Sequence, residues 1–352
     1  MHSISLPISK SIANRLLILQ AIHGDELMPV SVAMPDDVQL LHRALTTLHH
    51  ATQSYTTLHL SNCGTAMRFL TAYCAHLEGQ TTILDGIERM RHRPIGQLVD
   101  ALREIGADIE YLGEVGFPPL RINGCALDKH RIVRIDNPLS TQFVSALLLI
   151  GANVQTNSTS PYIHITRELI KRWASREEPI SPLLGGVGGG FFEKDWSSAA
   201  FWYEYIALHG GQIQLDGLFK DSVQGDKIVA DVFSMLGVLT TYTANGIIIQ
   251  KDSSHTLPPA INWDFHDCPD LYPAVAIVCE KLAVELQAIG TESLIHKESD
   301  RLYAVREHRT DHDHRMAMAL LIAGYPVDDT DCIKKSYPKF IEQWQIIQQY
   351  LS

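Results

Sequence analysis

The chain has 352 residues, 45% of them hydrophobic, and a formal charge of −11 set by 40 acidic against 29 basic side chains. That length and composition describe a globular protein of about two domains, and the acidic balance excludes a nucleic-acid partner, which needs a surplus of Lys and Arg on one face. Six dispersed cysteines with no CxxC pair and no secretory leader ahead of them, and no apolar run near the ~20 residues of a membrane span, predict a soluble cytoplasmic protein with reduced thiols.

The first predicted helix runs through "SKSIANRLLILQAI", with Lys10, Ser11 and Arg15 at its start, and "DDVQLLHRALTTL" predicts a second behind it. "SNCGTAMRFLTAYCA" opens the next helix with Asn62, Gly64, Thr65 and Arg68. "RPIGQLVDALREIGADIEY" starts at a proline and is capped by Gly106, leaving into a strand that "PPLRING" closes as a hairpin. "STQFVSALLLIGA", opening on Ser140, Thr141 and Gln142, precedes "YIHITRELIKRW". "DWSSAAFWYEYIAL" precedes "DVFSMLGVLTTY", which repeats the Asp, Gly and Tyr offsets of "DALREIGADIEY" and leads to the strand "GIIIQ". "PDLYPAVAIVCEKL" precedes "DRLYAVREH", and "DHRMAMALLIAG" precedes "YPKFIEQWQII".

Laid over one another, these segments predict six strand-containing units, each a leading helix with a small or polar start and a following helix, three units per domain. Two units are shortened. After "RELIKRW" the expected glycine and strands give way to "ASREEPISPLLGGVGGGFFEK", and after "DRLYAVREH" the chain reaches "RTDHDHR" at once. The glycine run at 185–190 reads as a linker, because no Lys-Ser/Thr pair follows it as a phosphate loop requires.

The chemistry-bearing residues gather in the first turns of the leading helices, where free backbone N–H groups and the helix dipole favour anions. Ser and Thr are also ordinary N-caps there, so the recurrence carries the argument rather than any one residue. Arg93, beside Pro94, is directed to a site, whereas Arg89 and Arg91 read as a solvated turn. In "IHKESDR", Lys297 and Arg301 share a helix face with Glu298 beside them. "HRTDHDHR" alternates His308, His312 and His314 with Asp311 and Asp313, matches no usual zinc spacing, and predicts no metal.

In order, "LPISKSIANR", "SNCGTAMRFLTA", "RMRHRPIGQLVDALREIGA", "STQFVSALLL", "DWSSAAFW", "CPDLYPAVAI", "KESDRL", "DHRMAMAL" and "KKSYPKF" resemble the motif series of the 5-enolpyruvylshikimate-3-phosphate (EPSP) synthase family. The resemblance implies a two-domain enolpyruvyl-transferase fold, an inside-out α/β barrel of six βαβαββ-type repeats with the third and fifth shortened. The implied N-terminal domain is 9–194, the C-terminal domain is 1–8 with 195–352, and the substrates bind in the cleft between them. The implied reaction moves the enolpyruvyl group of phosphoenolpyruvate to the 5-hydroxyl of shikimate 3-phosphate and releases phosphate, in a monomer without cofactor or metal.

By position in those motifs, the resemblance implies that Ser11 and Arg15 hold the shikimate carboxylate, and that Ser140, Thr141 and Lys297 hold its phosphate, with Gln142, Thr159, Tyr162 and Ser293 also touching that substrate. Arg301 and Arg315 would clamp the phosphoenolpyruvate carboxylate. Lys10, Asn62, Gly64, Thr65, Arg68, Arg93, Gln142 and Lys335 would surround its phosphate. Asp270 would be the base toward the 5-hydroxyl, ionised at its helix start, and Glu298 the acid, its pKa raised toward neutrality in a closed, dehydrated cleft near a bound anion, with Lys10 the third catalytic group. Thr141, Thr159 and Ser293 depart from the family's serine, serine and asparagine. The UDP-N-acetylglucosamine enolpyruvyl transferases, which share the fold, carry asparagine where this chain has Ser11, and their cysteine-bearing loop has no counterpart here. An inactive shikimate-phosphate-binding paralogue is opposed by the retention of Lys10, Asp270, Glu298 and Lys335.

Overall fold

A computed structural model of the chain describes residues 2–31, 34–51, 54–175 and 193–351; the glycine run at 185–190 lies outside them. The predicted leading helices are α1 (Lys10–His23), α3 (Gly64–His76), α5 (Thr141–Leu149), α7 (Trp196–His209), α9 (Tyr272–Lys281) and α11 (His314–Ile322). The following helices are α2 (Asp36–His49), α4 (Gly96–Glu104), α6 (Pro161–Ala174), α8 (Val229–Ser234), α10 (Arg301–Arg306) and α12 (Phe340–Leu351).

The two sets differ in how they are buried, and the sequence says why. Leading helices are apolar nearly all round: α7 is buried from Trp196 to Ala207 and α11 from His314 to Leu320. A helix of that kind is stable only inside a core. The longer following helices bury one stripe, as α2 does with Val38, Leu41, Ala44, Leu45 and Leu48. Caps fix the starts: Asp195 accepts the Ser198 N–H at 2.8 Å ahead of α7, and Asp313 accepts the Arg315 N–H at 2.9 Å ahead of α11. The predicted glycine exits are present, with Gly106 at φ +99° after α4 and Gly237 at φ +79° after α8, conformations that would strain any other residue.

The strands are β1 (His2–Ile4), β2 (Tyr55–His59), β3 (Thr81–Asp85), β4 (Asp108–Tyr111), β5 (Leu120–Asn123), β6 (Ile132–Arg134), β7 (Asn153–Gln155), β8 (Gln212–Asp216), β9 (Val238–Tyr242), β10 (Gly246–Lys251), β11 (Ala260–Asp264) and β12 (Glu285–Ile289). Two sheets share one plan: β2-β3-β5-β4 and β1-β8-β10-β9 each begin with a parallel pair and continue with an antiparallel hairpin. The other two are parallel pairs alone, β6-β7 and β11-β12. They fall in the segments where the sequence lacks the hairpin, so among the described residues the outer edges of β7 and β12 carry no strand.

The described residues form two compact units, one from 2–10, 34–36 and 193–351 (the C-terminal unit) and one from 11–31, 37–51 and 54–175 (the N-terminal unit). In the C-terminal unit Trp196, Phe201, Trp202, Tyr203, Phe233, Phe265 and Phe340 are fully enclosed, each large side chain contributing about 1.5–3 kcal/mol by leaving water. The enclosed Trp202 Nε1–H donates to the Tyr337 hydroxyl at 3.1 Å, so the indole stays satisfied.

Candidate active site

In the C-terminal unit a single helical turn, Pro269–Leu271, presents Asp270 at the start of α9. Asp270 Oδ1 accepts from Arg301 Nη1 at 2.8 Å, Oδ2 accepts from Arg315 Nη2 at 2.8 Å, and Lys297 Nζ lies 3.5 Å from Oδ1. Arg301 is the first residue of α10 and is 2% exposed; its Nε–H donates to Asp313 Oδ2 at 2.8 Å. Asp313 thus does two things, capping α11 and anchoring the guanidinium that reaches Asp270.

Glu298 makes a second cluster beside the first. Its Oε2 is 2.8 Å from His314 Nδ1, and its Oε1 is 2.8 Å from Lys335 Nζ. An ionised Glu298 requires the proton on Nδ1, which leaves His314 Nε2 buried without a partner among the described residues. Burial lowers the His314 pKa, opposed by Glu298. Ligand atoms of Glu298, Asp313 and His314 lie within 4.8 Å of one another, close enough to hold a metal ion, but Lys335 and Arg301 already balance the two carboxylates.

These contacts fix the charge states. Burial alone would raise the Asp270 carboxyl, but Arg315, Lys297 and Arg301 outweigh it and hold it well below the usual range. Asp270 is therefore ionised, as expected, though three cations rather than the helix start are responsible. Burial raises Glu298, yet His314, Lys335 and, more weakly, Lys10 hold it well below the usual range; the expected rise toward neutrality is for a closed cleft beside a bound anion. Lys10 is tied in by its backbone N–H, which donates to the α7 cap Asp195 at 3.3 Å. Ser293 is exposed, heads the turn Leu294–His296, and stands apart from these contacts.

The N-terminal unit builds its own cationic sites. Arg15 is 2% exposed and donates to Thr166 Oγ1 (2.7 Å), Ser11 O (2.8 Å), Tyr162 O (3.0 Å) and Ser145 Oγ (3.2 Å), which leaves one Nη1 hydrogen uncommitted. Burial pushes its pKa down to about 10, with Tyr162 acting the other way. At the start of α3, Arg68 Nη1 donates to Gly64 O at 3.2 Å and Arg93 Nη1 to Asn62 O at 3.3 Å. Burial, then repulsion from Arg93, pushes Arg68 down to about 9 against an opposing pull from Cys63. Gln142 Nε2–H donates to Thr65 Oγ1 at 2.9 Å, and Ser140 caps α5 by accepting the Gln142 N–H. Thr141 is half-buried as the first residue of α5, and Thr159 is exposed before the α6 cap Ser160.

Sequence reasoning gave Asp313 and His314 no site role, although they open the leading helix of the "DHRMAMAL" motif, where the first-turn pattern marks them. It missed Ser145 and Thr166, which orient Arg15 from other helices and carry no local signal. Asp195, Ser197 and Asp226 gather at the start of α7: the Ser197 hydroxyl donates to Asp226, and Gln224 bonds Lys194 O at 2.8 Å and the Trp196 N–H at 3.3 Å.

Comparison with known proteins bears on what this arrangement belongs to. A family model described as EPSP synthase (3-phosphoshikimate 1-carboxyvinyltransferase) matches residues 2–310 and 305–344. The chain belongs to the EPSP synthase family. It is 37% identical to the 3-phosphoshikimate 1-carboxyvinyltransferase of Bacteroides fragilis (strain ATCC 25285) over 391 aligned positions, covering 96% of this chain and 93% of the relative. It is 32% identical to the enzyme of the same name from Cellvibrio japonicus, covering 97% of this chain and 95% of that one. Because 391 aligned positions exceed the 352 residues of this chain, the Bacteroides relative carries stretches that are absent here. The structure of EPSP synthase from Acinetobacter baumannii matches with a TM-score of 0.72 at 20% identity, covering 98% of this chain and 95% of that one. The chain has the two-domain enolpyruvyl-transferase fold of the EPSP synthase family. No helix among the described residues is long and apolar enough to cross a membrane.

Proposed function

We propose that the protein transfers the enolpyruvyl group of phosphoenolpyruvate to the 5-hydroxyl of shikimate 3-phosphate and releases phosphate, as a cytoplasmic monomer using neither cofactor nor metal. The observation that carries this reading, in a chain of this family, is that Asp270 and Glu298 are the counter-ions of Arg301, Arg315, Lys297 and Lys335. Those cations are the groups a carboxylated, phosphorylated substrate pair needs. Each anion that engages them takes charge away from a carboxylate.

The chemistry follows from that exchange. As Arg301 and Arg315 turn their planar forks to the donor carboxylate, Asp270 loses what depresses its proton affinity and becomes a base for the 5-hydroxyl. As Lys335 and Lys10 turn to the donor phosphate, Glu298 gains proton affinity and becomes able to carry the proton that reaches the methylene carbon. The hydroxyl oxygen bonds to the enol carbon while the methylene carbon takes that proton. Phosphate then leaves with the electrons of its C–O bond, and the methyl group returns a proton, restoring the double bond. Ser11, Arg15, Ser140, Thr141, Gln142, Thr159, Tyr162, Ser293 and Lys297 are the groups assigned to shikimate 3-phosphate. Asn62, Gly64, Thr65, Arg68 and Arg93 serve the donor phosphate with Gln142. Binding charge at donors already aimed is the largest single source of rate in such sites.

The test is phosphate release from phosphoenolpyruvate, measured with and without shikimate 3-phosphate. Release that depends on shikimate 3-phosphate, and for which UDP-N-acetylglucosamine cannot substitute, supports the reading. Release with the nucleotide sugar alone, or none with shikimate 3-phosphate, overturns it.

A further inference from the structure

Asp226 opens the turn Gly225–Ile228 after its glycine and is 5% exposed. Its Oδ2 accepts the Ser197 hydroxyl, and its Oδ1 accepts no hydrogen bond among the described residues. The side chain is held in place: Gln224, two residues earlier, clamps the segment to the start of α7 through Lys194 O and the Trp196 N–H. The charged and titratable groups that face it are Asp270 from the turn before α9, Arg315 from α11, Asp195 from the α7 cap, Lys297 before α10, and the Cys268 thiol. Asp226 thus shares the cations of the base proposed above while accepting a bond from none of them.

We propose that Asp226 is a positioning residue that sets the proton affinity of Asp270. Ionised, it repels the Asp270 anion and makes it a stronger base; protonated, it lowers the negative charge that the anionic donor meets near Arg315 and Lys297. The inference rests on the reading of Asp270 as the base. Burial and the Asp270 charge raise the Asp226 carboxyl, Ser197 and Arg315 lower it, and the balance pushes it up to about 7. Its two states therefore both occur near neutral pH. The two carboxyls titrate as a pair, so one proton exchanged with solvent at Asp226 is felt at Asp270.

The test is the pH dependence of kcat and of KM for phosphoenolpyruvate in the full chain and in Asp226→Asn, whose amide oxygen still accepts the Ser197 hydroxyl. In the parent both quantities rise as pH passes about 7, by severalfold to about tenfold, a fraction of the ~10²–10⁴ that a general base contributes. In Asp226→Asn both steps vanish. A residue that only holds the fold lowers kcat evenly and leaves the steps where they were, so parental steps in Asp226→Asn overturn the inference. Ser197→Ala is the second variant: without the hydroxyl the Asp226 anion is less stable and the steps move to higher pH, whereas unmoved steps count against the inference. Absence of parental turnover removes the proposed function and this inference together. Parental turnover with unmoved steps removes only the inference.

Discussion

Glu204 lies in the middle of α7, is fully enclosed, and among the described residues neither of its carboxylate oxygens has a hydrogen-bond partner. Burial holds its pKa well above the ordinary carboxyl value of 4.5. The sign of the linkage follows. Below 4.5 the carboxyl is protonated whether the chain is folded or not; above it the unfolded chain ionises and the folded one does not, so stability is lost as pH rises. For one proton the slope is about 1.4 kcal/mol per pH unit while the folded carboxyl stays neutral, or about 3 kcal/mol from pH 5 to pH 7. A unit of this size shifts about 2–4 °C in Tm per kcal/mol, so the loss is about 6–12 °C. Glu204→Leu and Glu204→Gln remove the titration, and urea unfolding of the C-terminal unit at pH 5, 6 and 7 reads the gap between each variant and the parent. Other titrating groups are common to all three and cancel. The gap widens by about 3 kcal/mol across that range; a gap independent of pH refutes the reasoning.

Asp270→Asn is expected to keep donor binding and lose about 10²–10⁴-fold in turnover; loss of binding with turnover intact would assign Asp270 to positioning instead. Glu298→Gln stops solvent deuterium from entering the methylene group of phosphoenolpyruvate during turnover, and exchange at the parental rate passes the acid role to Lys10 or Lys335. A Cβ at Gly64 would stand 2.5 Å from Arg68 Nη1 and 2.6 Å from Arg93 Nη1, so Gly64→Ala displaces both guanidinium groups and raises KM for phosphoenolpyruvate about tenfold, or ~1.4 kcal/mol. An unchanged KM there argues against Arg93 as a phosphate ligand. Asp313→Ala removes the α11 cap and one partner of the enclosed Arg301, costing about 3–5 kcal/mol in urea unfolding; a loss below about 1 kcal/mol means that Asp270 alone satisfies the guanidinium.

What was legible in the sequence was local. Helix starts and glycine exits such as Gly106 and Gly237 depend on a few neighbouring residues, and the Lys297–Glu298–Arg301 triplet depends on helical spacing. Ion pairing was not legible. Asp270 meets Arg301 and Arg315 across 31 and 45 residues of chain, and only the packed helices decide that two guanidinium groups converge on it. The same gap hid the pairing of Glu298 with His314 and Lys335, which outweighs burial and holds its carboxyl low. The orientation of Arg15 depends on hydroxyls 130 and 151 residues away.

The edges of β7 and β12 bear on how this protein behaves when concentrated. In each four-stranded sheet the strand in the same position, β3 or β8, is covered by an antiparallel neighbour; β7 and β12 have no such cover among the described residues. Among the described residues no strand pairs with the backbone donors and acceptors on that side of β7 and β12, and β12 ends at Ile289, 62% exposed. An edge of that kind can take on a further strand without melting of the fold. The side chains that oppose it are few: Glu285 is the one ionisable residue on β12, and β7 offers only Asn153 and Gln155 around Val154. Pairing at the β12 edge is expected to be favoured by conditions that neutralise or screen Glu285.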